Sequence, residues 1–150
     1  IPEAWVETFD TLAQNLFLAP PTPAQYGALA ALQPASLAIC EERRVILSER
    51  YHYLSKALIE LGFRLPHLPQ GGLYIYVDIR AFSDNSLEFC QRMLADIGVA
   101  TTPGIDFSAS EGRYYVRFAF TAELSRLQQA VDRLAAWLPL VSTSEMDTDA

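Results

Sequence analysis

The chain has 150 residues, a formal net charge of −7 and a hydrophobic content of 51%. That length suits one domain with a real core, and that apolar content excludes a globally disordered chain. Without a Lys/Arg-rich run it offers no footprint for a phosphate backbone or an anionic membrane surface, so neither nucleic acid nor membrane is expected as a partner.

A first helix is expected over residues 2–14, where Trp5, Phe9, Leu12 and Leu16 form an apolar stripe. Thr22 is placed to cap a second helix, with Pro23 at its first position and Gln25 able to reach back in a capping box. Residues 24–32 are alanine-rich, and Gln33-Pro34 breaks or kinks them. The dominant helix is expected over 35–61, with Leu47, Tyr51, Leu54, Leu58 and Leu61 on one stripe and Gly62 as C-cap. At 1.5 Å per residue it spans about 40 Å, against a width of about 30 Å for a compact domain of this size. It therefore either overhangs its own core or runs along the domain.

After Gly62 the periodicity changes. "FRL" reads as a short strand and "PHLPQGG" as a loop, while 73–79, "LYIYVDI", is apolar on both faces and suits a central strand covered on both sides. Asn85 and Glu88 frame a capping box for a helix with Leu87, Cys90, Leu94 and Ile97 on one stripe, closed by Gly98. "VATTPG" is a short strand entering a turn. In "GRYYVRFAF", 112–120, Tyr114, Val116, Phe118 and Phe120 line one face, and Tyr115, Arg117 and Ala119 line the other. Thr121 is placed to cap a last helix carrying Leu127, Val131, Leu134 and Leu138 and stopped by Pro139. The tail, 141–150, collects Glu145, Asp147 and Asp149 and has no packing stripe. The expected fold class is α/β: a two-layer small domain at 63–140, its short mixed or antiparallel sheet covered by helices on one face. A helical segment, 1–34, and the long helix, 35–62, precede it.

Chemistry-bearing patterns are few. No phosphate-binding, zinc-protease or nucleophile-elbow motif occurs, and Cys40 and Cys90 read as two buried thiols. His52 and His67 lack metal-ligand spacing to either cysteine, so no metal is expected. Ser108 and Ser110 have no histidine close in sequence, and Lys56 reads as a solvated helix lysine. No apolar run approaches the roughly 20 residues of a membrane span, and 1–10 lacks the pattern of a signal peptide. A cytoplasmic location is expected. Arg117 is the oddity. It is either an exposed strand arginine, its stem lying on apolar surface, or a clamp for a carboxylate, which its planar fork fits bidentately. The stretch itself leaves both readings open.

"GGLYIYVDI", "LADIGVATTPGIDFS" and "GRYYVRFAF", taken in that order, resemble the C-terminal portion of class I/II aminotransferases, the fold type I pyridoxal-phosphate enzymes similar to aspartate aminotransferase. "LAQNLFLAPPTPAQYGALAAL" resembles the segment following the cofactor lysine, and "ERRVILSERYHYLSKALIELGF" resembles the interdomain helix. On this resemblance, 1–34 corresponds to part of the large domain, and Arg117 to the arginine that binds the substrate α-carboxylate. The family's "PGxxFG" turn stands here as "PGIDFS", with Ser108 in place of a residue that is usually glycine.

The resemblance further implies pyridoxal 5'-phosphate as cofactor, amino acid and 2-oxo acid as substrates, and a homodimer. In the family the cofactor lysine, the acid paired with the pyridine nitrogen and the phosphate ligands precede the region matched by Ile1. Lys56 matches the long helix instead. The chain is thus expected to lack catalytic and cofactor-binding residues of its own, to need an N-terminal large domain, and not to transaminate or bind the cofactor tightly alone. A β-lyase or α-oxoamine synthase of the same superfamily, and a non-enzymatic α/β binding module, remain alternatives.

Overall fold

Prolines set the joints of the first forty residues. The computed structural model describes residues 1–144, and their side chains as far as Val141; they divide into two units, Ile1–Arg43 and a second starting at Arg44. In the first unit, α1 (Val6–Leu16) follows a single 3-10 turn at Glu3–Trp5. Helix α2 (Thr22–Ala31) starts one residue earlier than expected, because Pro21, not Thr22, occupies the N-cap in an extended conformation. Thr22 already lies in the helix and caps nothing. Gln25 reaches back to the Pro20 carbonyl at 2.9 Å rather than closing a capping box. Helix α3 (Pro34–Glu60) opens on its proline, whose missing N–H costs nothing at a first helical position. No residue of α1 or α2 is buried, and Cys40 is exposed, so the expectation of two buried thiols holds only for Cys90.

The buried residues of α3 all lie near its end, at Leu54, Ser55, Ala57 and Leu58. Gly62 then turns the chain with φ +95°, a left-handed conformation that suits glycine. In the second unit the strands β1 (Tyr74–Asp78), β2 (Thr102–Pro103) and β3 (Tyr115–Ala119) form an antiparallel sheet in the order β1-β3-β2. The centre is β3. β1 is an edge strand, with only the isolated Arg64–Asp78 bridge on its outer side among the described residues, and this corrects the expectation of a central strand at 73–79.

Alternation along the strands separates two faces. Ile75, Val77, Val116 and Phe118 are buried with Leu54 and Leu58 of α3 and with residues of α4 (Ser86–Ile97) and α5 (Leu124–Ser144). The apolarity of β1 on its other face comes from Tyr74 and Tyr76, which belong to a layer of rings rather than to a second helical cover. Helix α4 has half of the expected box: the Asn85 side chain accepts from the Glu88 amide at 3.3 Å, whereas the Asn85 amide donates to Ser83 Oγ at 3.1 Å, and Gly98 closes the helix at φ +65°. Its core face is rotated from the expected stripe: Phe89, Cys90 and Met93 are buried, whereas Leu87 and Leu94 are exposed.

Helix α5 begins at Leu124, beyond Thr121, with the Glu123 carbonyl accepting from Arg126 and Leu127. Arg50 on α3 holds this start, donating to the Thr121 carbonyl and pairing with Glu123, both at 2.8 Å. Pro139 does not stop the helix, which runs through it to Ser144. An internal proline costs about 3 kcal/mol, whereas burying Leu138 and Val141 on either side gives about 1.5–3 kcal/mol each. Burial wins. The rest of the acidic tail, 145–150, lies outside the described residues.

Candidate functional site

The alternation that buries Val116 and Phe118 places Tyr115 and Arg117 on the opposite face of β3. Register then chooses their neighbours, setting Arg117 across from Tyr76 on β1 and from Thr102 on β2. The guanidinium donates from Nη2 to Thr102 Oγ1 at 3.2 Å. Its Cζ lies 4.8 Å from the ring centroids of both Tyr74 and Phe107, within cation–π range. Arg117 is half-buried, and among the described residues no carboxylate pairs with it. A guanidinium so placed has hydrogen-bonding capacity left for an anion.

The layer continues past the arginine. Tyr76 stacks on Tyr115 with centroids 4.9 Å apart and planes 10° apart, and Phe107 meets Tyr76 edge-on at 6.4 Å. Burial pushes the Tyr76 phenol above its ordinary value, and the neighbouring Tyr115 adds to the shift. The Tyr76 hydroxyl is buried without a hydrogen-bond partner among the described residues.

Phe107 is delivered by a tight turn after β2. Its amide donates to the Gly104 carbonyl at 2.9 Å, closing a 3-10 turn over Gly104–Asp106. Gly104 crosses Gly112 with no room for a side chain. A Cβ at Gly104 would stand 2.6 Å from the Tyr115 carbonyl oxygen and closer still to Tyr76 Oη and the Gly112 carbonyl oxygen. Glycine is required here by space. Ser108, two residues after Asp106, needs no left-handed backbone, and its hydroxyl accepts from the Glu111 amide at 3.3 Å. The departure from glycine at that position leaves the turn intact.

The other sequence candidates do not converge on Arg117. Ser108 Oγ lies 3.5 Å from Ser110 Oγ, His52 Nδ1 donates to the Ser48 carbonyl at 2.6 Å, and His67 is exposed. Lys56 is a surface lysine, its side chain 78% exposed and 3.8 Å from Glu60 one helical turn on. Cys90 accepts from Thr101 Oγ1 at 3.2 Å; burial pushes its thiol up, partly offset by that bond, and Asp106 adds to the rise. Among the described residues no group of His, Cys, Asp or Glu is arranged for a metal, and no helix is long and apolar enough to cross a membrane. A surface cleft of about 590 Å³ between α4 and α5 includes Arg133 and Trp137, but these already donate to the Ile97 carbonyl and to Asp96. It involves none of the Arg117 neighbours.

The sequence singled out Arg117 but not the neighbours the structure gives it, Tyr74, Thr102 and Phe107. Two of them follow from register: Thr102 is the β2 partner of Arg117, and Tyr74 sits diagonally across on β1. Phe107 had only its place in the "PGIDF" turn to mark it.

The family model described as aminotransferase class I and II matches residues 1–134. A valine–pyruvate aminotransferase of Mycobacterium tuberculosis is 31% identical over 93% of this chain and 36% of its own length. An aspartate aminotransferase of Pyrococcus abyssi is 35% identical over 77% of this chain and 29% of its own length. The crystal structure of an aminotransferase from Mycobacterium tuberculosis superposes with a TM-score of 0.83 at 33% identity, covering 93% of this chain and 36% of that one. The chain spans about a third of the length of the curated relatives it matches.

Proposed function

Since the chain belongs to the class I and II aminotransferases, we propose that it supplies the substrate-carboxylate subsite of a cytoplasmic, homodimeric enzyme moving an amino group between an amino acid and a 2-oxo acid. The observation that carries this reading is the half-buried Arg117 guanidinium, without a carboxylate partner among the described residues and seated on Thr102 and between the rings of Tyr74 and Phe107. One relative is named for valine and pyruvate and another for aspartate. Those substrates differ in side chain and share an α-carboxylate, and a strand-held fork suits the shared group. It fixes the orientation of the substrate about Cα while leaving the side chain to other residues.

Enzymes of this family work with pyridoxal phosphate. The described residues do not fit that group: the sole lysine, Lys56, is solvent-exposed beside Glu60, and the Arg117 surroundings hold hydroxyls and rings. We assign the cofactor's lysine and phosphate ligands to the two thirds of the relatives' length that this chain does not span. The chain alone is then inactive. Trp5, Phe9, Leu12 and Leu16, each about half exposed or more, support a role for the first unit in contacts with the remaining enzyme or a second subunit.

In the full-length enzyme, replacing the fork by a point charge in Arg117→Lys removes a charge-assisted bidentate pair worth about 1.5–3 kcal/mol. The expected result is a fall in kcat/KM of about one to two decades, uniform across amino acids. A fall confined to acidic substrates would move Arg117 to a side-chain carboxylate, and no fall would make it a surface arginine. Mixing pyridoxal phosphate with the 150-residue chain should leave the cofactor's spectrum unchanged. A stoichiometric change abolished by Lys56→Ala would overturn the assignment of the cofactor site.

A further inference from the structure

We propose that Tyr74 and Phe107 are positioning residues, holding the Arg117 guanidinium from two sides so that its edge is ready for a carboxylate. This rests on the carboxylate reading of Arg117 and adds to it the groups that give the arginine its orientation. A free arginine side chain samples many rotamers, and ordering it on binding weakens affinity. Here the ordering precedes the ligand. Tyr74 approaches from β1 and Phe107 from the segment after β2, each with its centroid 4.8 Å from Cζ. Thr102 accepts from Nη2 and so fixes rotation of the fork within the bracket. Its hydroxyl proton stays available to an anion bound by the same guanidinium.

Neither ring is there for the hydrophobic core. Tyr74 is 46% exposed and Phe107 53% exposed, and the core residues of β1 and β3 point the other way. Phe107 is nonetheless held firmly, because the Gly104–Gly112 crossing locks the turn that bears it. A solvent-facing ring at the end of a locked turn is placed for what it touches. It touches the Tyr76 ring with its edge and Arg117 with its face.

The test pairs ring-removing with ring-keeping variants: Tyr74→Leu and Phe107→Leu against Tyr74→Phe and Phe107→Tyr. In the 15N-labelled chain the Arg117 Nε–Hε resonance, assigned by its loss in Arg117→Lys, should be displaced upfield by the rings. It should move toward the free-arginine position in both Leu variants and return in the ring-keeping ones. Melting temperatures should change little, since both positions are exposed. In the full-length enzyme the Leu variants should raise KM for amino acids about two- to fivefold, the factor that corresponds to one exposed cation–π contact, with kcat nearly unchanged. An Arg117 resonance already at the free-arginine position, or Leu variants that leave resonance and KM untouched while Arg117→Lys remains damaging, would overturn the positioning role alone. An Arg117→Lys enzyme with normal kcat/KM would overturn the carboxylate reading instead.

Discussion

Adding one methyl group at Gly112 tests whether the turn over the site is built as described. Neither Gly104 nor Gly112 has a positive φ, so alanine meets no intrinsic backbone penalty at either position. The penalty is spatial. A Cβ at Gly112 would lie 2.7 Å from the Ile105 amide nitrogen and closer to the carbonyl group of Gly104. All three atoms are backbone, so no side-chain rotation relieves the overlap; the two segments must part by most of an ångström. Overpacking of this kind costs about 1–3 kcal/mol where side chains can shift and more where they cannot, so about 3 kcal/mol is expected. Set against a typical stability of 5–15 kcal/mol, that is a large loss, and for a domain near 100 residues it lowers the melting temperature by about 12–24 °C. Urea and thermal melts of Gly112→Ala beside the parent chain measure it. A variant within about 0.5 kcal/mol of the parent would refute the crossing, and with it the account of how Phe107 is held.

Other consequences are open to simple measurement. Tyr76→Phe removes a buried hydroxyl that has no partner among the described residues and is expected to stabilise the fold by about 1 kcal/mol; a loss of that size in a denaturant melt would show that the hydroxyl is paired. Because burial raises the Tyr76 and Tyr53 phenols above the ordinary 10.0, the unfolded chain releases those protons first. Their contribution to stability is therefore complete below pH 10 and is lost as pH rises through the folded-state values, a decline that Tyr76→Phe should shrink. A thiol reagent at neutral pH should label Cys40 quickly and Cys90 only on unfolding, so two equally fast thiols would contradict the burial of Cys90. Asn85→Ala should cost about 1 kcal/mol through loss of the α4 cap, and Asn85→Asp should retain most of it, as a melt of the two variants would show.

Features set by neighbours along the chain were legible before any coordinates. The Asn85 cap, the Gly98 terminus, the extent of α3 and the two faces of β3 each depend on a few consecutive residues. Features decided by what packs against what were not. Helix α4 carries apolar residues around much of its circumference, so its period fits more than one stripe, and the sheet selects Phe89 and Met93 over Leu87 and Leu94. β1 read as doubly covered because rings on its second face look the same in sequence whether a helix or other rings cover them. Pro139 read as a stop because local propensity holds no record of the burial of Val141. At the site, Arg117 stood out as a charge in an aromatic strand, whereas Thr102 and Phe107 come from a segment brought to it by pairing at Thr102–Arg117.

The alternation of β3 also governs which genetic changes this chain can survive. Odd-numbered positions there, Tyr115 and Arg117, lie on the ring-lined face, and even-numbered ones, Val116 and Phe118, address the interior. Point substitutions at odd positions can therefore change the chemistry of the ring-lined face without disturbing the interior. A single-residue insertion or deletion within the strand exchanges the two sets, burying the guanidinium and expelling Phe118 at the same stroke. Divergence in this segment is consequently expected to proceed by replacement at fixed length, with changes of length displaced to the loops on either side.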